Sequence, residues 1–222
     1  MPLALLTGAA RPNSIAAGIA SRLRADGWDV ATSDRSGAEF DADLEDGAAP
    51  AHLVDAVSAD RGRPIDALVL SHAHGSESGI LDTTAESFDR HVAVNARASL
   101  LLIAAFARQA PDDGGAIVAL TSDHTTGNLP YGASKGALDR IVISAARELG
   151  PRGISANVVN PGPVDTGWMD DELRASMPAH VPLGRLGTAT DTAGVVAFLL
   201  SRDGRWISGQ LLHADGGLSG RY

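Results

Sequence analysis

Apolar positions along the chain fall into two alternating kinds of segment. Runs of strand length at residues 3–6, 29–33, 65–71, 116–120, 154–159 and 210–213 alternate with longer stretches whose apolar residues recur at helical spacing. Strands that are apolar throughout, separated by helices, predict a parallel sheet covered on both faces. One helix starts near Ser14 and carries Ile15, Ile19 and Leu23 four residues apart. Another starts at "TTAE", where Thr83 and Glu86 fit a capping box, and continues through "NARASLLLIAAFARQ". From Ala98 to Ala107 that helix is apolar almost all round, so the sheet and a second subunit are expected to bury it from two sides.

One interval breaks the alternation. Only a handful of residues separate the strand ending near Ser33 from the possible strand in "AEFDADL". A parallel crossover needs about a dozen or more. No helix fits there, and a shortened or irregular sheet edge is expected. The predicted class is α/β, a doubly wound parallel sheet between two helical layers, shortened at the second-to-third strand connection.

Composition narrows the function. A chain of 222 residues, 44% of them hydrophobic, supports one substantial core, and without repeats or low-complexity linkers residues 1–222 are expected to form a single domain. The longest apolar run is far below the roughly 18–20 residues of a membrane span, and "MPLALLTGAARP" has no basic leader, so a soluble cytoplasmic protein is expected. The absence of cysteine excludes disulfides and thiolate metal sites. A net charge of −9 disfavours nucleic acid and anionic membrane as partners.

Candidate chemistry begins at the first turn. "LALLTGAARPNSIAAGIA" sets a strand, Gly8 and small residues ahead of a helix, the arrangement in which backbone N–H groups and the helix dipole receive a pyrophosphate in Rossmann-type folds. Asn13 or Ser14 can cap that helix. Asp34, at the end of the second strand, is placed to accept hydrogen bonds from an adenosine ribose and to repel a 2′-phosphate, or else is a solvated turn aspartate. In "TSDHTTGNLPYGASK", Tyr131 and Lys135 lie four apart on one helical face, where a lysine charge can lower the tyrosine pKa.

Taken in order, these segments resemble the short-chain dehydrogenase/reductase family over essentially the whole chain. "TGAARPNSIAAGIA" is similar to its glycine-rich turn in an extended variant, "DRHVAVNARAS" to the segment of the catalytic asparagine, and "IVALTSD" with "YGASK" to the catalytic serine strand and tyrosine–lysine helix. "NPGPVDTGWM" fits its PGxxxT segment and "WISGQLLHADGG" its closing strand. The resemblance, nearest to the branch called 3-oxoacyl-[acyl-carrier-protein] reductase-like, implies catalytic roles for Asn95, Ser122, Tyr131 and Lys135. It implies nucleotide contacts for Gly8, Asn13, Ser14, Ile15, Asp34, Asp43, Leu44, Ala73, Pro161, Gly162, Val164 and Thr166. Implied too are NAD as cofactor, with NADP possible, a small-molecule ketone or alcohol as substrate, and a homodimer or homotetramer built through the helices containing Asn95 and Tyr131.

Three departures stand out. Ser71, His72, Ala73 and His74 replace the usual Asn-Asn-Ala-Gly, nine residues take the chain from Ser122 to Tyr131, and the helix between the second and third strands is missing. His72 and His74, two apart on a strand end, could share a face with Glu77 or His124 as a metal site, although the family chemistry needs none. Competing readings are an enoyl reductase, against which the close Tyr131–Lys135 spacing argues, and a catalytically idle nucleotide-binding or scaffold protein.

Overall fold

The computed structural model describes residues 1–124 and 126–220. Among them, β1 (Leu3–Thr7), β2 (Asp29–Asp34), β3 (Phe40–Asp41), β4 (Ala67–Leu70), β5 (Gly115–Leu120), β6 (Ile154–Asn160) and β7 (Leu211–His213) form one sheet. Its spatial order is β3-β2-β1-β4-β5-β6-β7 and every pairing is parallel. The helices are α1 (Ile15–Ala25), α2 (Ala49–Arg61), α3 (Ala85–His91), α4 (Ala98–Gln109), α5 (Leu129–Leu149), α6 (Asp171–Ser176) and α7 (Ala189–Leu200).

The period of two along β1 divides the core. Leu3 and Leu5 point into an apolar cluster shared with α2, α4 and α5, while Ala4 and Leu6 point into a second one shared with α1 and α7. The doubly wound, three-layer architecture follows from this division. No helix of the described residues is long and apolar enough to cross a membrane.

The edge beyond β2 is shortened as expected, and its pairing is parallel. Ser33 aligns with Phe40 and Asp34 with Asp41, and no helix lies between them. A dozen-residue crossover is needed when the chain must retrace a whole strand; here β3 reaches back only two residues, and residues 35–39 span that return.

Two local expectations need correction. The cap of α3 is Thr84, whose side chain accepts from the Ser87 amide, and not Thr83. The Thr83 hydroxyl is taken into the preceding turn, where it donates to Gly79 O and bonds Ser78. Strand β4 stops at Leu70, before Ser71, whose amide turns to the Thr7 hydroxyl at 3.2 Å.

Between α3 and α4 the rod passes through a π-helical turn, Val92–Arg97, closed by a bond from the Ala98 amide to Ala93 O. In α4, Phe106 is fully buried, and its ring lies so close to Gly115 at the start of β5 that a Cβ there would sit 2.8 Å from it. Leu100 and Ala104, by contrast, line an open groove with Ile141 and Ala145 of α5. Truncating Phe106→Ala should cost about 3–5 kcal/mol, because this ring has no room to be replaced by collapse of its neighbours. Urea unfolding of the variant checks this.

Candidate active site

β1 and β4 lie side by side at the centre of the sheet, where the strand order reverses, and an open α/β sheet forms its crevice at the C-terminal ends of such strands. Gly8 lets the turn after β1 pack directly on the chain leaving β4. Its φ is +78°, and a Cβ there would lie 2.8 Å from the backbone of Ser71 and His72. The Gly8 and Ala9 amides bond Ser33 O, so the turn is anchored to β2.

Asp34 completes that anchor, with one carboxylate oxygen accepting from the Ala10 amide at 2.9 Å and the other from its neighbour Arg35 at 2.8 Å. It is therefore more than a solvated turn aspartate. Ser14 caps α1 by accepting from the Ala17 amide, which leaves the first-turn amides of Ile15 and Ala16 without an intrahelical partner. Asn13 is exposed beside them.

Gly8, Asp34, Asp43, Leu44, Ala73 and Tyr131 line one cavity of about 670 Å³, which also takes in Arg11, His74, Glu77 and Trp168. Asn13, Ser14, Ile15, Pro161, Gly162, Val164, Thr166 and Ser122 lie outside its wall. The segment from Pro161 to Thr166 nevertheless comes back to the first turn. Gly162, at φ +64°, has Asp215 where a Cβ would fall, and Arg11 bonds Thr166 O at 3.5 Å. The Arg11 guanidinium also lies over the Trp168 ring at 4.6 Å, a contact that bridges the crevice mouth. Sequence reasoning missed Arg11, because an arginine in a turn carries no pattern of its own.

Asn95 sits in the π-helical turn, fully buried. Its side-chain oxygen accepts from the His74 amide at 2.7 Å, and its amide donates to His74 O at 2.9 Å and to the Ser134 hydroxyl at 2.8 Å. Asn95 thus ties the segment after β4 to α5. The His74 ring rests on the His91 ring with centroids 4.5 Å apart, so the imidazole standing in place of a hydrogen leans toward α3.

His72 and His74 do not share a face. The chain has left β4 by Ser71, and period-two alternation no longer applies. The His72 ring is buried, its Nε2 donating to Val94 O at 3.1 Å and its Nδ1 bonding the Thr7 hydroxyl at 2.7 Å. Burial and the Lys135 charge lower its pKa from 6.5 to about 3.

Tyr131 and Lys135 are stacked at the N-terminal end of α5, the lysine nitrogen 5.8 Å from the centre of the tyrosine ring. Lys135 is the only lysine of the chain, is 2% exposed, and donates to Leu120 O at 2.9 Å. Burial lowers its pKa to about 8. The expectation that Lys135 lowers the tyrosine pKa is not met in this arrangement: burial raises Tyr131 above the ordinary tyrosine value. Ser122 uses its hydroxyl oxygen to accept from the His124 amide at 3.2 Å.

Comparison with known proteins accords with this geometry. A family model described as enoyl-(acyl carrier protein) reductase matches residues 8–219. The chain is 35% identical to the uncharacterized oxidoreductase YjdA of Bacillus subtilis (strain 168), over 97% of this chain and 96% of that one. A blue fluorescent protein from a metagenomic library, solved in complex with NADPH, is 33% identical, with a TM-score of 0.90 over 99% of this chain and 98% of that one. A short-chain dehydrogenase from Burkholderia cenocepacia J2315, solved in complex with NADP, is 32% identical with the same TM-score and coverage. The chain belongs to the short-chain dehydrogenase/reductase family.

The buried neutral His72 makes stability depend on pH with a definite sign. Its folded pKa lies below its unfolded one, so between about pH 6.5 and 3 the unfolded chain binds the extra proton. The full contribution is present above pH 6.5 and is lost as pH falls toward 3, at up to about 1.4 kcal/mol per pH unit. Unfolding free energies of the parent and of His72→Gln, measured at about pH 7 and pH 4.5, should show a shallower acid loss in the variant.

Proposed function

We propose that this chain is an NAD(P)(H)-dependent oxidoreductase that interconverts a small or medium ketone and its alcohol, with Tyr131 as the proton-transferring group. The observation that carries the reading is Tyr131 in the wall of the crevice cavity with the buried Lys135 ammonium behind it. Gly8 lets the backbone approach a pyrophosphate, the start of α1 at Ser14 and Ile15 offers amides to it, and Asn13 stands alongside. Asp34, Asp43, Leu44 and Ala73 form the adenosine side, while Pro161, Gly162, Val164 and Thr166 serve the nicotinamide side. The bound nicotinamide supplies or accepts the hydride.

Tyr131 donates the proton that the reduced carbonyl oxygen needs. Burial keeps its hydroxyl protonated, which is the form reduction consumes. Oxidation needs the tyrosinate, so it depends on a closer approach of the Lys135 charge. Asn95 holds the backbone beside the site, and Ser122 is assigned to the carbonyl. Ser122 also favours a second reading, a catalytically idle nucleotide-binding or scaffold protein, because it lies outside the cavity wall.

The chain is further assigned to the 3-oxoacyl-[acyl-carrier-protein] reductase-like branch, on its extended first turn and "PGPVDTGWM" segment, and to the cytoplasm as one domain. A homodimer or homotetramer would cover the groove of Leu100, Ala104, Ile141 and Ala145 between α4 and α5.

NAD(H) should bind more tightly than NADP(H). The Asp34 carboxylate opposes a 2′-phosphate, and Arg35 is drawn to Asp43 at 3.2 Å instead of standing free to receive one. Calorimetric titration should give a preference of roughly tenfold, about 1.4 kcal/mol, that narrows in Asp34→Asn. The opposite order would refute the assignment.

Tyr131→Phe should leave nucleotide binding intact and lower turnover by roughly 10²–10⁴-fold. Ketone reduction by the parent should hold from about pH 6 to pH 7 and then decline as Lys135 deprotonates and its charge beside Tyr131 is lost. Dissociation constants and single-turnover rates, with substrates found by a carbonyl and alcohol panel read from reduced-nicotinamide absorbance, test both. Undiminished turnover in Tyr131→Phe would overturn the mechanism, and no turnover with any panel member would favour the idle binder.

A further inference from the structure

Asp139 follows Lys135 by one helical turn on α5 and is half-buried. Its Oδ1 is buried and has no hydrogen-bond partner among the described residues. An unpartnered buried carboxylate oxygen is costly, of order 1–3 kcal/mol for a polar group and more for a charged one. Nothing in the packing of α5 requires a carboxylate there, since Leu138, Val142 and Ala145 supply the apolar contacts to the core.

The charges around Lys135 explain its presence. His72 faces the lysine from the end of β4 and is neutral, and Tyr131 lies above it as an un-ionised phenol. From β5 the lysine receives only the carbonyl of Leu120. Asp139 is the carboxylate that acts on Lys135, and it acts to keep the ammonium charged. Asp139 in turn is faced by Lys135, by its neighbour Arg140, by the Thr121 hydroxyl after β5 and by His213 on β7. Burial of Asp139 raises its own pKa, and the Thr121 hydroxyl beside the carboxylate, followed by Lys135, Arg140 and His213, opposes that rise.

We propose that Asp139 is a positioning residue for the reaction: its carboxylate is the counter-charge that keeps the buried Lys135 ammonium protonated for its work on Tyr131. The proposal rests on the reading of Tyr131 and Lys135 given above. The lysine loses solvation by being buried, and a carboxylate one turn away returns part of that loss without capping the nitrogen in a direct ion pair. The ammonium thereby keeps donors free for other partners. A direct salt bridge would hold the charge equally well and would occupy those donors.

Because Lys135 is the only lysine, its titration can be observed without nucleotide or substrate. In the full chain grown on ¹³C-labelled lysine, the side-chain resonance should titrate at about 8 in the parent. It should titrate roughly one unit lower in Asp139→Asn and return toward the parent value in Asp139→Glu. The alkaline limb of ketone reduction should move by the same interval, so that turnover at about pH 8 falls roughly 5–10-fold while turnover at about pH 6 changes less than twofold. The thermal midpoint of Asp139→Asn should be equal to or above that of the parent.

An unshifted lysine titration, or an equal loss of turnover at every pH with a lowered thermal midpoint, would overturn the proposal. Undiminished turnover in Tyr131→Phe would overturn the reading of the site, and the proposal with it. An inactive Tyr131→Phe beside an unshifted Asp139→Asn titration would overturn the proposal alone.

Discussion

At the centre of the sheet the turn after β1 packs directly on the chain leaving β4 because Gly8 carries no side chain. Any Cβ there would press on the backbone of Ser71 and His72, and the left-handed φ would be strained as well. From that close approach follow the anchoring of the turn on Ser33 O, the direction in which α1 departs, and the width of the space that Tyr131 faces. Asp34 reinforces the same turn from the side of β2. The residue proposed to oppose a 2′-phosphate is thus also a fastener of the fold.

A second dependence runs through buried polar groups. Asn95 satisfies both backbone groups of His74 and reaches Ser134, whose hydroxyl bonds Tyr131 O. The helix carrying Asn95 takes a π turn at that point, a distortion that recurs at functional sites. His72 replaces an amide side chain with an imidazole that joins β1, the π turn and α4 through Thr7, Val94 and Ser99. Such networks hold geometry well when every member is bonded. They also give the two histidines beside the crevice different partners, Thr7 and Val94 for His72 and the His91 ring for His74.

The sheet and its helices were legible in the sequence because each strand is an apolar run bounded by polar or glycine-containing turns, a signal that depends on burial alone. The missing helix after β2 was legible from chain length, while the parallel pairing of Phe40 and Asp41 was not, since a two-residue strand leaves no periodicity. Residues on the crevice wall, such as Gly8, Asp34 and Tyr131, stood out through motif order. The Arg11–Trp168 contact, the π turn and the separation of His72 from His74 depend on long-range packing, and local sequence contains no record of it. Burial of Tyr131, which raises its pKa, is likewise a product of packing and has no trace in the four-residue spacing to Lys135.

The lone lysine also bears on how this protein ages. Glycation, carbamylation and acyl transfer from reactive metabolites ordinarily spread over many surface ε-amines. Here 17 arginines and a single lysine make up the 18 basic residues, and that lysine is 2% exposed. The outer surface offers no ε-amine to such slow chemistry. Any reagent that does reach one must first have entered beneath Tyr131, so covalent damage of this type and loss of the Tyr131–Lys135 pair would be the same event.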